Sequence, residues 1–483
     1  MKVKYLEFSG LLNVGVSDFG KPLNELSAIK NCYEYKIGKL EKVPGYSLAT
    51  ASQVIDEQDV NYLHHYYDTA NKINYLLATS TEGSDLTLEY RTTGNFATIT
   101  GISTTWYTYA GSLPHMANYL SKTFIVGYKS GTTFLPNATI NATTFSTADT
   151  DLTDMPQGKF VVGYKDLLYV LHAKTGGSVY PSRAYYSDEP IAGAIGWTVL
   201  TSFVEFGIDD GDEITGALES LDRLLVWKQY SMWKYDESEV KKIADVGCDS
   251  YKSIINVFNI PYWFNRNGIW RWGGDKPQLI SSKVQPFIDA IDQTALDEVV
   301  AVQYEYEYRC FIGDVTVEDV NYTNTWICFD SRREKIYIRC TYDVVKSTAT
   351  YVESGKQRAY FGNDDGQVMK FATKIDKIYA DNGNEIDSFF VTNNLDFGSP
   401  DIIKQNSKIT IYTKNAQGLN FMIDPDNSGE FEEGRGQVLK TNVEDLDINS
   451  SGYRFRFKFA ENSTVKGWEL EGFIVETEIK EEP

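Results

Sequence analysis

The sequence predicts an all-β chain: a β-propeller of about six blades followed by a C-terminal β-sandwich or barrel. Three observations lead there. Helical periodicity is scarce, and most of the chain reads as short runs of Val, Ile, Tyr, Phe, Thr and Trp bounded by Gly, Asn, Asp and Ser. A hydrophobic strand, polar turn and second aromatic strand recur with starts near Tyr75, Phe124, Leu167, Leu224, Tyr262, Tyr308 and Tyr360, separated by 49, 43, 57, 38, 46 and 52 residues. That noisy period matches propeller blades, whose unit is a small meander of about 40–50 residues. The alternative for such recurrence is a pair of β-sandwiches with accidental spacing. Finally, the texture changes near Asn382.

Taken in chain order, residues 1–50 read as an N-terminal arm with the first strands, 51–381 as the propeller and 382–483 as the C-terminal module. Within the propeller, Arg266-Asn267-Gly268 and Asp364-Asp365-Gly366 are hairpin signals, because Asn-Gly and Asp-Gly accept the positive φ of tight turns. The longest expected helix runs from Lys283 to Val302, with Pro286 near its start, where a missing N–H does least harm. In the C-terminal module, Tyr453, Phe455, Phe457 and Phe459 alternate with Arg454, Arg456 and Lys458. A strand with one buried and one solvated or partner-facing side has this pattern. Trp227, Trp233, Trp263, Trp270 and Trp272 are expected at blade cores.

The 483 residues carry a net charge of −21, and 14% of them are aromatic. So much aromatic and β-branched surface excludes intrinsic disorder. The acidic balance excludes a protein that grips nucleic acid through bulk basic charge. No run approaches the roughly 20 apolar residues of a membrane helix, and the first 30 residues lack a signal pattern, so a cytosol-like site of assembly without membrane insertion is expected. Cys32, Cys248, Cys310, Cys328 and Cys340 are odd in number and form no CxxC pair, which reads as buried free thiols.

Catalytic signals are sparse. The four histidines, His64, His65, His115 and His172, have no metal-site spacing, and no phosphate-binding Gly-rich loop exists. The chain is therefore read as not an enzyme, with no cofactor and no metal. Two acidic clusters stand out. One is Asp209, Asp210, Asp212 and Glu213; the other is Asp424, Asp426, Glu430, Glu432 and Glu433. The second begins like a calcium loop, with oxygen ligands at alternate positions and Gly429 for the turn, but Arg435 stands where such a loop ends in Glu. A polar hairpin turn is the other reading.

The stretch from Phe8 to Tyr46 has a distinctive order: Gly10-Leu11-Leu12-Asn13, then Leu23-Asn24-Glu25-Leu26, then Ala28-Ile29-Lys30-Asn31-Cys32, then Leu40-Glu41-Lys42-Val43-Pro44-Gly45-Tyr46. It resembles the opening of the tail-nozzle proteins of short-tailed bacteriophages, also called DNA-stabilisation or tail-hub proteins. Ser9 stands where a second Gly is usual there, and Val43 where Arg is favoured. Further landmarks follow in that family's order: Gly211 to Gly216, Leu221 to Lys228, Asn267 to Trp270 and Phe361 to Gly366. The resemblance implies a virion tail protein assembled in the host cytoplasm, forming a homohexameric ring below the portal and adaptor. Tail fibres or other tail proteins would be its neighbours. It would retain packaged double-stranded DNA and conduct it at ejection. Six copies of a −21 chain carry −126, and an acidic wall repels phosphates, so the duplex would slide instead of binding. The nine acidic residues of the two clusters are the channel or gate candidates. The competing expectation is a host-facing receptor- or glycan-binding propeller of a tail tip or bacterial surface.

Overall fold

In the computed structural model the described residues are 2–5, 8–17, 21–50, 58–82, 85–102, 112–130, 133–208, 210–416, 418–438, 442–464 and 467–480. Among them, seven successive antiparallel meanders form the propeller, one more than the expected count of about six. Each repeat start seen in the sequence falls in the second strand of one blade, from Ile73–Glu82 in blade one to Lys356–Gly362 in blade seven. The first strands line the axis. They are Val60–Asp68, Leu113–Tyr119, Gln157–Tyr164, Ile214–Ser220, Ile255–Val257, Val300–Tyr304 and Ser347–Glu353. Successive first strands lie against one another, blade four meeting blade five through the Tyr251–Ser253 turn, and the last returns to the first.

The ring is closed by the N-terminal segment. Tyr46–Leu48 pairs antiparallel with Val368–Phe371, Tyr46 opposite Phe371, and so supplies the fourth strand of blade seven. Tyr46 is fully buried, packs edge-on against Phe361 with centroids 5.0 Å apart, and donates its hydroxyl to Asp343 Oδ2 at 2.6 Å.

Residues 1–50 also build the sandwich. One six-stranded sheet combines Lys2–Tyr5, Cys32–Lys36 and Lys39–Lys42 with Lys404–Lys414, Val443–Gly452 and Glu469–Ile479. The other combines Leu11–Leu12 and Glu25–Lys30 with Ser388–Thr392, Asn420–Pro425, Glu432–Gln437 and Phe455–Glu461. Phe455, Phe457 and Phe459 are fully buried, and Phe457 and Phe459 meet Phe473 of the facing sheet at 5.5 and 5.4 Å. The alternation expected for this strand holds except at Tyr453, which precedes the strand and is 39% exposed.

The helix expected from Lys283 to Val302 is corrected. A 3₁₀ turn at Ser282–Val284 leads into a five-residue helix, Gln285–Asp289, and Val300–Tyr304 is the first strand of blade six. Two forces end the helix early. Asp292 Oδ1 accepts from Thr294 N at 2.8 Å, which holds a turn, and the Val-rich run Val299-Val300-Ala301-Val302, β-branched at three of its four positions, is buried against the axis. Trp227, Trp263 and Trp272 are buried, Trp227 and Trp263 packing at 5.4 Å between blades four and five, while Trp233 and Trp270 are half-buried. All five cysteines are buried free thiols, as expected.

Candidate functional site

The sequence-predicted acidic residues fall in two separate places. Asp209 lies outside the described residues. Asp210, Asp212 and Glu213 lead into the first strand of blade four. There Lys228, its side chain fully buried, needs a counter-charge, and Asp210 Oδ1 receives its ammonium at 2.5 Å. Asp212 accepts from Gln229 N at 2.9 Å and from Ser231 Oγ at 3.0 Å, which staples the loop onto the next turn. Glu213 is half exposed and faces Lys159 at 3.2 Å and His172 Nδ1 at 3.4 Å. Burial and the Lys159 charge push the imidazole of His172 down to about 4, against the pull of Glu213.

Asp424, Asp426, Glu430, Glu432 and Glu433 belong to the sandwich. The Asp424 carboxylate is fully buried and is held by Arg456 at 2.5 Å, by Ser428 Oγ at 2.7 Å and by Ser428 N at 2.9 Å. A guanidinium thus stands where a calcium loop would have its cation. Asp426 Oδ1 accepts from Tyr453 N at 2.6 Å, closing the same turn. Glu430 is exposed, Glu432 opens the strand Glu432–Gln437, and the Glu433 side chain lies outside the described residues.

Two concave sites lie elsewhere, and their residues are not among the channel or gate candidates. A cavity of about 280 Å³ sits on the propeller axis between the first strands of blades one, two, five and seven, walled by Tyr62, His64, His65, His115 and Tyr251. The histidines are held neutral by burial, His64 near 4 and His115 near 3. His64 Nε2 contacts Asn118 Oδ1 at 2.9 Å, and Asn118 Nδ2 donates to the His65 carbonyl at 2.8 Å. At the end where the first strands begin lies a larger cavity of about 480 Å³, lined among others by Asp59, Lys252, Asp297, Glu298, Asp314 and Lys346. Lys252 borders both cavities. Its ammonium donates to the Lys346 carbonyl at 3.4 Å, and burial lowers its proton affinity against the attraction of Glu298 and Asp297. Lys346 pairs with Asp59 at 3.4 Å. Carboxylate acceptors and ammonium donors therefore face one polar space, floored by Leu113, Val299 and Phe311. One signal was available in the sequence: Asp59, Glu298 and Lys346 sit one or two residues ahead of a first strand, and in a closed ring those positions converge.

A third concavity, of about 680 Å³, lies between blades three and four, on the side of the Asp210–Glu213 loop. Among the described residues no helix is long and apolar enough to cross a membrane.

No family model matches the chain, and no curated protein does. Solved structures do align with it. An exo-β-1,3-galactanase from Phanerochaete chrysosporium, with galactose, is 8% identical, covers 75% of this chain and 95% of its own, and has a TM-score of 0.24. A glycoside hydrolase is 10% identical over 86% of this chain and 98% of its own, with a TM-score of 0.26. The extracellular domain of a one-component system from B. thetaiotaomicron is 8% identical over 82% of this chain and 48% of its own, with a TM-score of 0.31. At such identities the likeness concerns the fold alone. The expectation that the chain is not an enzyme is corrected on these matches: glycoside hydrolases stand among the aligned structures, so a role without catalysis does not follow from the sequence.

Proposed function

We propose that this chain is a host-facing, glycan-binding β-propeller of a tail tip or bacterial surface. The observation that carries the reading is the cavity of about 480 Å³ at the end of the axis, where Asp297, Glu298 and Asp314 of blade six meet Lys252 from the turn ahead of blade five over an apolar floor. Mixed acceptors and donors over apolar side chains suit a polyhydroxylated ligand, and the volume falls in the range of about 300–1,000 Å³ of small-molecule sites. Titration calorimetry with an oligosaccharide panel tests it. Binding that drops at least tenfold in Asp297→Asn and Lys252→Met, with unchanged thermal stability, is the expected result. Failure of every glycan to bind at millimolar concentration defeats the reading.

The second reading is the tail nozzle, a homohexamer below portal and adaptor that holds and conducts DNA. What favours it is the order of the landmarks from Gly10 to Gly366, together with the propeller and C-terminal β-module that this order leads one to expect. Electron microscopy of the purified protein separates the two: sixfold rings with an open channel support the nozzle, and monomers or trimers remove it.

A further inference from the structure

We propose that the groove between blades three and four is a second saccharide site, specific for neutral oligosaccharides. It shares no residue with the axial cavity, so it goes beyond the proposed glycan site on the axis. One wall is the third strand of blade three, Ser178–Tyr186, which contributes Tyr180, Pro181, Ser182 and Arg183. The other is the loop ahead of blade four, with exposed Ile208, joined by Gln229 from the turn after the second strand of that blade.

The walls are rigid. The Arg183 guanidinium lies between the rings of Tyr180 and Phe203, 4.2 and 4.0 Å from their centroids. It is pinned by Glu205 Oε1, which accepts from its Nε at 2.6 Å, and it donates to Tyr185 Oη at 2.9 Å. A planar cation between two aromatic faces in this way gives a flat, preorganised wall. The facing loop is held by the Asp210–Lys228 pair and the Asp212 staple.

The charges decide the ligand class. Among the described residues, each carboxylate of the groove has a partner: Glu205 faces Arg183, Asp210 faces Lys228, Glu213 faces Lys159, and Asp212 accepts three N–H and O–H bonds from uncharged donors. The groove is thus rich in hydrogen-bond acceptors with little net field. An anion would meet the four described carboxylates, and a cation would find three of them already paired and the fourth, Asp212, engaged by three neutral donors. Hydroxyl donors on a body with apolar C–H faces suit what remains, and that is the chemistry of a neutral pyranose.

The test uses the full chain, with saturation-transfer NMR and calorimetry on three probes: a neutral hexose trisaccharide, a uronic-acid trisaccharide and a glucosamine trisaccharide. Wild type is expected to prefer the neutral probe, with a second binding event that Tyr180→Ala and Gln229→Ala each weaken about tenfold, the effect of about 1.4 kcal/mol in binding. The axial variant Asp297→Asn should retain that event. Because Tyr180 supports Arg183, Gln229→Ala serves as the variant whose side chain plays no part in holding the groove walls. Three results overturn the inference: one binding event only, abolished by Asp297→Asn and untouched by Gln229→Ala; preference for either charged probe at the groove; or no second event with the neutral trisaccharide. The first leaves the axial reading standing while removing the groove.

Discussion

At the residue scale, buried charge is placed at joints. Arg339 and Asp381 are both almost completely buried and paired, and Asn31 Oδ1 accepts from Arg339 Nη1 at 2.9 Å and from Cys340 N at 2.7 Å. The node ties blade six to the N-terminal segment and to Ala380–Asp381, a short strand beside Tyr46 in the sheet of blade seven. Asp381→Asn leaves a guanidinium without a counter-charge, and a loss of about 3–5 kcal/mol in urea unfolding is expected. The double variant Arg339→Met with Asp381→Leu should lose less, because the desolvation cost leaves with the charge. Glu89, on the third strand of blade one, is pushed up to about 7 by burial. The folded chain then holds a proton between about pH 4.5 and 7 that the unfolded chain has released. Its contribution is fully present below the ordinary carboxylate range and is lost as pH rises through about 7. Glu89→Gln should flatten that limb of a plot of Tm against pH and raise Tm at pH 8. The half-buried histidines of the 280 Å³ cavity act in the opposite direction. His64 and His115 favour the fold when neutral, so their contribution is lost as pH falls from about 6.5 through about 4. His115→Gln should reduce acid destabilisation across that window.

At the element scale, the short strand Tyr46–Leu48 has the greatest structural consequence, because it completes blade seven. Gly45 ahead of it has no room for a side chain: a Cβ there would run into the carbonyl of Ala380. Gly45→Ala must therefore displace the closing strand, and Tyr46→Ala removes a fully buried ring at a cost of about 3–5 kcal/mol. Hydrogen exchange should show protection lost first in Val368–Phe371, the strand that Tyr46–Leu48 covers. If protection falls uniformly over all seven blades, the closure is not the weak seam. The misread helix from Lys283 to Val302 teaches the complementary lesson. Its first turn carries helix-start chemistry at Pro286, while its last four residues, Val299 to Val302, are buried and mostly β-branched, and strand pairing on the axis outcompetes local preference.

At the scale of the whole molecule, the N-terminal 50 residues join the assemblies. They supply strands to both sandwich sheets and the closing strand of the propeller, and Arg333 donates to the carbonyls of Glu34 and Tyr35 across the junction. A chain starting at residue 51 would lack the fourth strand of blade seven and five strands of the sandwich, and it is expected to be insoluble or to melt without a cooperative transition by calorimetry. The landmarks from Gly10 to Tyr46 occupy these strands, so part of their pattern reflects closure of the fold, whichever function the chain serves.

By itself the sequence determined the local alphabet. Strand-forming runs at a blade-like period, hairpin residues such as Gly366 at φ +73°, and the buried face of Phe455, Phe457 and Phe459 follow from side-chain volume, branching and backbone sterics within a few residues. The tertiary structure decided what depends on closing the ring and sandwich: seven blades, the return of Tyr46 to a strand more than three hundred residues away, and the meeting of Lys252 with Asp59 and Glu298. It also gave the acidic clusters their partners, Asp210 with Lys228 and Asp424 with Arg456, neither of which neighbours its carboxylate along the chain. The physical reason is one of range. Periodicity and turn chemistry act between neighbours, whereas a cavity, a charge partner or a closing strand depends on which distant segments the burial of apolar surface brings together.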